Sequence, residues 1–381
     1  MKFAHLGDCH LGGWRQPELK DLNLRSFQEA IRRIIAQKID FVLISGDLFD
    51  SSYPPIDTLR DTFEQFRKLK ENNIPVFLIA GSHDYSVSGK TFLDVLEKAG
   101  FCTNVSIYEE KNNFIILQPT LYKNIAIYGY PGKKSGLEIE EIKRIKLQDS
   151  PLFKILLLHT TIRDAIGNIP INAVEAHEIP RVDYLALAHL HINYNKEGKV
   201  YSGPTFPNNL SELEELQAGS FYIFHDGKIR KEEIKLKEIL SVNLEINNAL
   251  TATEKILNHL FHQEIKDKIV IIRLSGVIET GKMSDIDFQK VESFLKEKKA
   301  YTFLKSTSKL HLEEPEIKLE FIQSENMEEQ IIKNFAEKNP NVNNFSIPNL
   351  FRALEKEKLE DETNSSFEDR LLSEVNQILS I

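Results

Sequence analysis

Five short apolar runs constrain the fold of this chain most, because each is rich in Val, Ile, Leu or Phe and leads into acidic or histidine residues. Such runs are typical of buried strands in an α/β sheet. The runs are Lys2–Gly7, Phe41–Ser45, Val76–Ala80, Ile155–Leu158 and Tyr184–Ala188. The residues that follow them are Asp8-Cys9-His10, Gly46-Asp47, Gly81-Ser82-His83-Asp84, His159 and His189-Leu190-His191. Since the carboxyl ends of successive strands meet at one crevice, we expect these groups to converge there.

The chemistry of these groups is that of a metal site. Asp-x-His and His-x-His place two side chains on one face of an extended segment, since alternate residues share a face. Imidazole and carboxylate donors without cysteine suit Mn²⁺, Fe²⁺ or Zn²⁺ rather than a structural thiolate site. Each histidine alone is more often a satisfied polar residue. The complete set in this order instead predicts a dinuclear centre that cleaves phosphate esters.

Individual roles follow from the side-chain types. Asp47 is predicted to bridge both metals, because a carboxylate has two oxygens and can serve cations held roughly 3.5–4 Å apart. Gly46 and Gly81 permit close backbone approach or unusual dihedral angles at the turns. His83 need not be a ligand and is predicted to stabilise the transition state or protonate the leaving oxygen. Asp84 is expected to fix the tautomer of His83.

Composition agrees with a multidomain globular protein. The chain has 381 residues, 41% hydrophobic and 28% charged residues, and a net charge of −9. The negative charge argues weakly against nucleic-acid binding, although basic residues can be concentrated on one face and metals can contact phosphate directly. The candidate basic stretches, each of which could equally be a solvated surface, are Arg32-Arg33, Lys133-Lys134, Lys143-Arg144 and Lys228–Lys237.

Cysteine content and hydropathy predict the compartment. No apolar stretch approaches the roughly 20 residues that cross a bilayer, and the N-terminus lacks the apolar region of a signal peptide. Only Cys9 and Cys102 are present, which argues against a disulfide framework. We therefore expect a protein of the reducing cytoplasm, without a membrane partner.

The periodicity predicts an α/β fold of two sheets packed face to face with helices outside, followed by smaller parts. Helical spacing occurs at Asp21–Gln37, Thr58–Glu71, Thr91–Ala99, Thr253–His262 and Asp285–Lys298. Further strands are predicted at Val105–Tyr108, Phe114–Leu117, Ile125–Tyr130, Gly198–Ser202, Ser220–Phe224, Ile229–Lys235, Val242–Ile246, Ile269–Leu274 and Ile317–Phe321. The predicted division is 1–237 for the sandwich, 241–321 for a small α+β domain, 325–348 for a linker with a helix at Met327–Glu337, and 349–381 for a helical pair.

The helical pair is predicted from its apolar spacing. Asn349–Leu359 forms its first helix, and Ser366–Leu379 starts at a Ser cap. Two such helices have little core of their own, so that they either pack on the body or dock on a partner. Periodicity alone does not choose between these.

In its motifs the chain resembles the calcineurin-like metallophosphoesterases, with their D-x-H, G-D, G-N-H-D/E, H and G-H-x-H pattern. More narrowly, residues 1–225 resemble the nuclease subunits of double-strand-break repair complexes (the meiotic-recombination-eleven or SbcD family). The stretches that carry this resemblance are Met1–Gly12, Ser45–Asp50, Leu157–His159, Tyr184–His191 and Tyr201–Pro204.

The resemblance implies a ligand set and a function. One Mn²⁺ would be held by Asp8, His10, Asp47 and His191, and the other by Asp47, Ser82, His159 and His189, with His83 contacting the phosphate. The implied activities are a 3′-to-5′ exonuclease on duplex ends and an endonuclease on single strands. The implied partners are DNA, a second copy of the chain that meets the early helices of residues 1–237, and an ABC-type ATPase gripped by residues 349–381. Residues 241–321 would form the DNA cap.

Three positions depart from the family pattern. Ser82 stands where the family has a metal-binding Asn, so that the second metal is expected to bind weakly or through water. Ala188 replaces the Gly of G-H-x-H, and Asp50 stands where some relatives carry an auxiliary histidine. Three hypotheses therefore compete: an active DNA-repair nuclease, a small-substrate phosphodiesterase or phosphatase, and a weakened scaffold subunit that keeps the ATPase contact.

Overall fold

The computed structural model describes residues 1–86, 91–312, 347–354, 356 and 364–379. The chain forms two compact units, Met1–Glu313 and Glu314–Ile381. No helix in the described part of the chain is both long and apolar enough to cross a membrane.

Secondary structure follows the hydrophobic periodicity. The strands are β1 (Lys2–Leu6), β2 (Phe41–Ile44), β3 (Val76–Leu78), β4 (Thr103–Asn104), β5 (Tyr108–Lys111), β6 (Phe114–Leu117), β7 (Thr120–Tyr122), β8 (Ile125–Tyr130), β9 (Ile145–Leu147), β10 (Phe153–His159), β11 (Tyr184–Ala188), β12 (Asn193–Lys196), β13 (Lys199–Ser202), β14 (Gly219–His225), β15 (Lys228–Ile234), β16 (Ile239–Glu245), β17 (Ile269–Ile278) and β18 (Thr302–Leu312). The α-helices are α1 (Pro17–Ala36), α2 (Ile56–Glu71), α3 (Phe92–Lys98), α4 (Glu138–Ile142), α5 (Arg163–Ile166), α6 (Leu210–Leu216), α7 (Ala249–Phe261), α8 (Phe288–Glu297), α9 (Ile347–Leu354) and α10 (Asn364–Leu379). Short 3₁₀ turns lie at Lys134–Gly136, Ala176–Glu178 and Met283–Asp285.

Two six-stranded sheets form the sandwich. Their strand orders are β15-β14-β1-β2-β3-β4 and β12-β13-β11-β10-β8-β7. The inner faces meet in one apolar cluster, to which Phe3 and Phe41 come from the first sheet and Ile127 and Leu157 from the second. The prediction of two sheets packed face to face is confirmed. Burial on both faces explains why the central strands are continuous apolar runs.

Helices cover the outer faces. Phe27 of α1 and Phe66 of α2 pack with Leu6 and Ile44 on the first sheet. The second sheet is covered partly by α4 and by a separate three-stranded sheet of order β5-β6-β9. The predicted strand Val105–Tyr108 is wrong for most of its length. There the amide of Ile107 donates to the carbonyl oxygen of Val105 at 2.9 Å, a tight turn that interrupts pairing.

A second core lies under the sheet β16-β17-β18. The three strands of this sheet are parallel. The helices α7 and α8 pack on the sheet and contribute the buried residues Ile256 and Val291 to the core. The strand β18 was not predicted, whereas the predicted Ile317–Phe321 lies outside the described residues. So does most of the predicted linker at 325–348, including the helix at Met327–Glu337, up to the start of α9. The proposed domain boundaries therefore remain predictions.

The unit Glu314–Ile381 contains the two predicted helices. Lys356 Nζ and Glu374 Oε1 form an ion pair at 2.5 Å. The helix α9 ends at Leu354, and Lys356 is no longer helical, so the predicted end at Leu359 is wrong at that position. Since α10 begins at Asn364, Ser366 lies within the first turn and does not cap the helix.

Candidate metal centre

The predicted site residues lie at the carboxyl ends of five strands. β1 pairs in parallel with β2 and β2 with β3, while β10 pairs in parallel with β11. The loops that leave these ends bring together all seven predicted metal-binding side chains, and His83 lies beside them. Convergence at one edge of the sandwich is the geometry that the order of apolar runs predicts.

Most of these residues lie beyond the strands and not on them. The φ angles of Asp8, His10, Asp47 and His189 are 50°, 42°, 50° and 99°, in the left-handed region that is costly for residues other than glycine. Backbone hydrogen bonds hold these turns, since the amide of His10 donates to the carbonyl of Asp47 at 3.0 Å. The expected reason why Asp8 and His10 point to the same site, alternation along an extended segment, is therefore wrong. Strained loops aim the side chains instead.

One group of donors consists of Asp8, His10 and His191, whose ligand atoms all lie within 4.8 Å of one another. The Nε2 atoms of His10 and His191 are 3.2 Å apart, and His191 Nε2 is 3.9 Å from Asp8 Oδ1. Asp47 Oδ2 lies 3.6 Å from His10 Nε2. These four residues are the first predicted ligand set.

A second group surrounds the other side of Asp47. His159 Nε2 is 3.1 Å from Asp47 Oδ2 and 3.3 Å from His189 Nδ1. Ser82 Oγ donates to Asp47 Oδ2 at 3.4 Å, so its hydroxyl lies within this group. Asp47 Oδ1 accepts the amide of His83 at 2.8 Å, which leaves Oδ2 as the oxygen that faces both groups.

The carboxylates make the site favour positive charge. Burial alone would lower the pKa of His159, but Asp47 and Asp8 raise it to about 9. Burial likewise opposes charge on His191, yet Asp8 and Glu212 raise its pKa to about 9. The pKa of Asp47 lies well below its usual range because His159 and His10 outweigh its burial. A site with this electrostatic preference suits cations.

Glycine is required where the loops touch. A Cβ on Gly81 would lie 2.2 Å from Asp47 Oδ1, and one on Gly46 would lie 2.6 Å from His159 Nδ1. Gly46 also has a φ of 102°. The predicted role of both glycines in close approach is confirmed.

Each of three histidines predicted as ligands has a second partner that faces away from the donor groups. His10 Nδ1 is 3.1 Å from Asp50 Oδ1, and His159 Nδ1 donates to the carbonyl of Ser45 at 3.1 Å. His191 Nδ1 is 2.8 Å from Glu212 Oε1. Because these partners only accept, each Nδ1 donates its proton to them, and Nε2 is the ring nitrogen left to face the site.

Sequence reasoning missed Glu212 and Ser45. Glu212 follows Asn209, the N-cap of α6, at the spacing of a capped helix start, a signal for the helix and not for the contact. It also missed Asn23 on α1, whose Nδ2 donates to the carbonyl of Cys9 at 2.9 Å and so supports the first loop.

The expected role of Asp84 is wrong. Its buried carboxylate accepts backbone amides from Leu48, Phe49 and Gly81 at 3.0–3.2 Å, so it ties the second and third loops together. His83 Nδ1 instead donates to the carbonyl of Asp50 at 2.8 Å. A carboxylate that faces three amides is satisfied there and has no reason to turn toward an imidazole.

The donor chemistry fits divalent metal ions. Imidazole atoms of His10 and His159 approach Asp47 Oδ2 from two sides, and a carboxylate between two donor groups is typical of two-metal sites. Cys9 is not a donor, since it is buried with Sγ 3.9 Å from the carbonyl of Gly7. Burial also raises the pKa of its thiol far above the usual value.

Comparison with known proteins agrees with this geometry. The sequence profile of the family described as calcineurin-like phosphoesterase matches residues 1–193. The chain belongs to the calcineurin-like phosphoesterase family and is a metal-dependent phosphoesterase.

Within this family, the chain is similar to archaeal DNA double-strand break repair proteins Mre11. It is 28% identical to the one from Methanocaldococcus jannaschii over 282 residues, covering 68% of this chain and 74% of the relative. Its identity to the Mre11 of Methanococcus maripaludis is 30% over 263 residues, which cover 63% of this chain and 68% of the relative. It is also 24% identical over 258 residues to an uncharacterized metallophosphoesterase, YhaO, of Bacillus subtilis, covering 63% and 61%.

Proposed function

We propose that this protein is a Mn²⁺-dependent DNA nuclease of double-strand-break repair, a 3′-to-5′ exonuclease on duplex ends and an endonuclease on single strands. The observation that carries the proposal is the convergence of the two donor groups on Asp47 Oδ2, with the exposed His83 beside them. The names of the archaeal relatives support DNA as the substrate.

In this proposal Asp8, His10, Asp47 and His191 hold one metal, and Asp47, Ser82, His159 and His189 hold the other. When bound, the metals supply Lewis acidity and lower the pKa of water, which is the chemistry that phosphodiester hydrolysis needs.

His83 contacts the substrate. Its side chain is 47% exposed, and its ring lies edge-on to that of His10 with centroids 4.6 Å apart. Nδ1 is committed to the carbonyl of Asp50, so Nε2 is the atom that can donate to a phosphate oxygen or to the leaving oxygen. Asp50 is thus an auxiliary residue that orients both His83 and His10.

A groove next to His83 accommodates the nucleic-acid backbone. It has a volume of about 570 Å³ and is lined by Ser82, His83, His189, Lys133 and Lys134, among others. The exposed Lys134 lies where it can pair with a phosphate next to the scissile one, so that one positive charge faces the groove although the net charge of the chain is −9.

Exposed apolar residues support the proposed protein partners. Leu354 of α9 is 55% exposed and Leu372 of α10 is 58% exposed, as helices that dock on an ABC-type ATPase require. Ile56 at the start of α2 is 83% exposed beside the exposed Tyr53, which supports a homodimer through the early helices.

A second candidate, the weakened scaffold subunit, is favoured by Ser82. Its hydroxyl donates to Asp47 in place of offering the amide oxygen of the family's Asn. A hydroxyl is a shorter and poorer ligand, so the metal on the His159 side would bind weakly and cleavage would be slow.

Digestion of defined DNA tests the proposal. The full chain, supplied with Mn²⁺, is incubated with a 3′-labelled duplex, a single-stranded circle and a small phosphomonoester. Release of label and opening of the circle, with little phosphomonoester hydrolysis, is the expected result. Hydrolysis of the phosphomonoester alone would make the protein a phosphatase, and inactivity on all three would favour the scaffold.

A further inference from the structure

The helix α6 lies between the metal centre and the small sheet β16-β17-β18. On its first turn, Glu212 Oε1 is 2.8 Å from Nδ1 of His191. Since a carboxylate can only accept, this contact fixes the tautomer and the rotation of the imidazole. The opposite atom, Nε2, faces His10 and Asp8.

The carboxylate of Glu212 is itself fixed. Its Oε2 accepts the amide of Asn208 at 2.8 Å, and its own amide donates to Oδ1 of the N-cap Asn209 at 3.0 Å. Asn209 Nδ2 also donates to Glu212 Oε1 at 2.5 Å. Glu212 thus moves with the first turn of α6, and His191 follows Glu212.

The other contacts of α6 reach the small sheet. Arg273 on β17 donates from Nε to Glu214 Oε2 at 2.5 Å and from Nη2 to Ser211 Oγ at 3.1 Å. Arg273 and Glu214 are 26% and 18% exposed, so the ion pair is largely shielded from water. Ser211 and Glu214 flank Glu212 along the helix.

An apolar cluster locks the same elements together. Leu213 of α6 is fully buried in a cluster with Leu19 and Leu22 of α1 and Ile269 and Ile271 of β17. A displacement of β17 should therefore also displace α6, because close-packed side chains leave no free volume between the two elements.

We infer that Glu212 is a positioning residue for His191 and that α6 transmits the position of the small sheet to the metal centre through Arg273. The inference rests on the metal assignment of the proposed function and does not depend on DNA being the substrate. It gives the small sheet a role in the metal centre, because any shift of β17 alters the metal affinity on the His191 side.

Calorimetric titration of the full chain with Mn²⁺ tests the coupling. Glu212→Gln should weaken binding on the His191 side about tenfold, the lower end of the effect of residues that orient metal ligands. Arg273 does not contact a proposed ligand, so Arg273→Ala should weaken Mn²⁺ binding at the same site only about threefold. Arg273→Lys should restore part of this loss. Binding on the His159 side should be unchanged in all three variants.

The matched control is Lys237→Ala. It removes an ion pair with Asp267 and a contact with the ring of Tyr301 at 4.5 Å, which packs against the same apolar cluster as Leu213, but it leaves the ion pair of Arg273 and Glu214 in place. Its Mn²⁺ affinities should equal those of the wild type. Should Arg273→Ala fail to fold by circular dichroism, Glu214→Gln breaks the same ion pair from the helix side and is expected to give the same loss.

Three outcomes overturn the inference. Wild-type affinity in folded Arg273→Ala or Glu214→Gln would show that α6 transmits nothing. Equal weakening by Lys237→Ala would assign the effect to general loosening of the small sheet. A wild-type chain that binds no Mn²⁺ would remove the metal assignment and the coupling together, whereas two bound ions without nuclease activity would leave the coupling intact.

Discussion

The two sides of the proposed metal centre differ in what holds their histidines. His159 is fully buried, and its Nδ1 donates to the backbone carbonyl of Ser45 at the end of β2. His191 is 23% exposed, and its Nδ1 contacts the side chain of Glu212 on a short helix. Nearby carboxylates raise the pKa of both imidazoles to about 9, so the local charge does not distinguish them.

One of the two histidines is therefore held by the sheet, and the other is held by a side chain that can be replaced. The carbonyl of Ser45 cannot move without moving β2, whose neighbours are β1 and β3. The carboxylate of Glu212 moves with α6. We therefore expect the His159 side to be rigid and the His191 side to be adjustable.

The largest expected effect comes from Asp47, which both sides share. Asp47→Asn removes the charge that faces His10 and His159. It should lower the rate of hydrolysis of a chromogenic phosphodiester about 10³-fold, which corresponds to about 4 kcal/mol of activation free energy. Calorimetry should also show weaker Mn²⁺ binding on both sides. The exposed Asp57, paired with Lys20, offers the control Asp57→Asn, which should match the wild type. Loss of only one metal would contradict a shared ligand.

A smaller effect is expected on the His159 side alone. Ser82→Asn supplies the amide oxygen of the family pattern and should strengthen Mn²⁺ binding there by about tenfold, the scale on which single contacts tune a metal site. Ser82→Ala is the control and should weaken it. If both variants bind as the wild type does, the residue at 82 is not a ligand, and the scaffold hypothesis loses its support.

The smallest effect concerns the buried support of Ser45. His5 Nε2 is 2.6 Å from Ser45 Oγ, and burial lowers the pKa of His5 to about 3. Between pH of about 6.5, the ordinary pKa of histidine, and this lowered value, His5 binds a proton in the unfolded chain but not in the folded one. The free energy of unfolding of the wild type should therefore fall as the pH drops. His5→Gln should flatten this dependence by up to about 1 kcal/mol per pH unit.

Urea unfolding at about pH 6.5 and about pH 5 measures the difference, since both values lie within the window in which only the unfolded histidine takes up protons. His225→Gln is the control, because it makes the same change at a histidine that is 60% exposed. Equal slopes in the wild type and His5→Gln would mean that His5 does not titrate on unfolding.

The sequence could predict the strands and the edge at which the site lies, because both follow from hydrophobic periodicity and residue type. The strand ends at Leu6, Ile44 and Ala188 follow from apolar runs, and the residues beyond them then fall at one edge. It could not predict that Asp84 binds backbone amides, because both an imidazole and an amide suit a carboxylate and only the loop geometry decides.

Contacts between distant elements were also beyond sequence reasoning. Glu212 is 21 residues from His191, and Arg273 is 59 residues from Glu214, so no local pattern joins them. The strand β18 was not predicted from the sequence for a different reason. Its residues Thr302–Leu312 include few buried positions, so that the apolar signal of a strand is weak.

In the proposed function the two donor groups hold metal, and His83 contacts the phosphate. The most direct test measures bound Mn²⁺ and DNA cleavage in the same samples of wild type and His83→Ala. We expect both proteins to bind two ions and the variant to cleave about 10²–10⁴-fold more slowly, the range of a lost general acid. Loss of bound Mn²⁺ in the variant, or cleavage at the wild-type rate, would contradict the account.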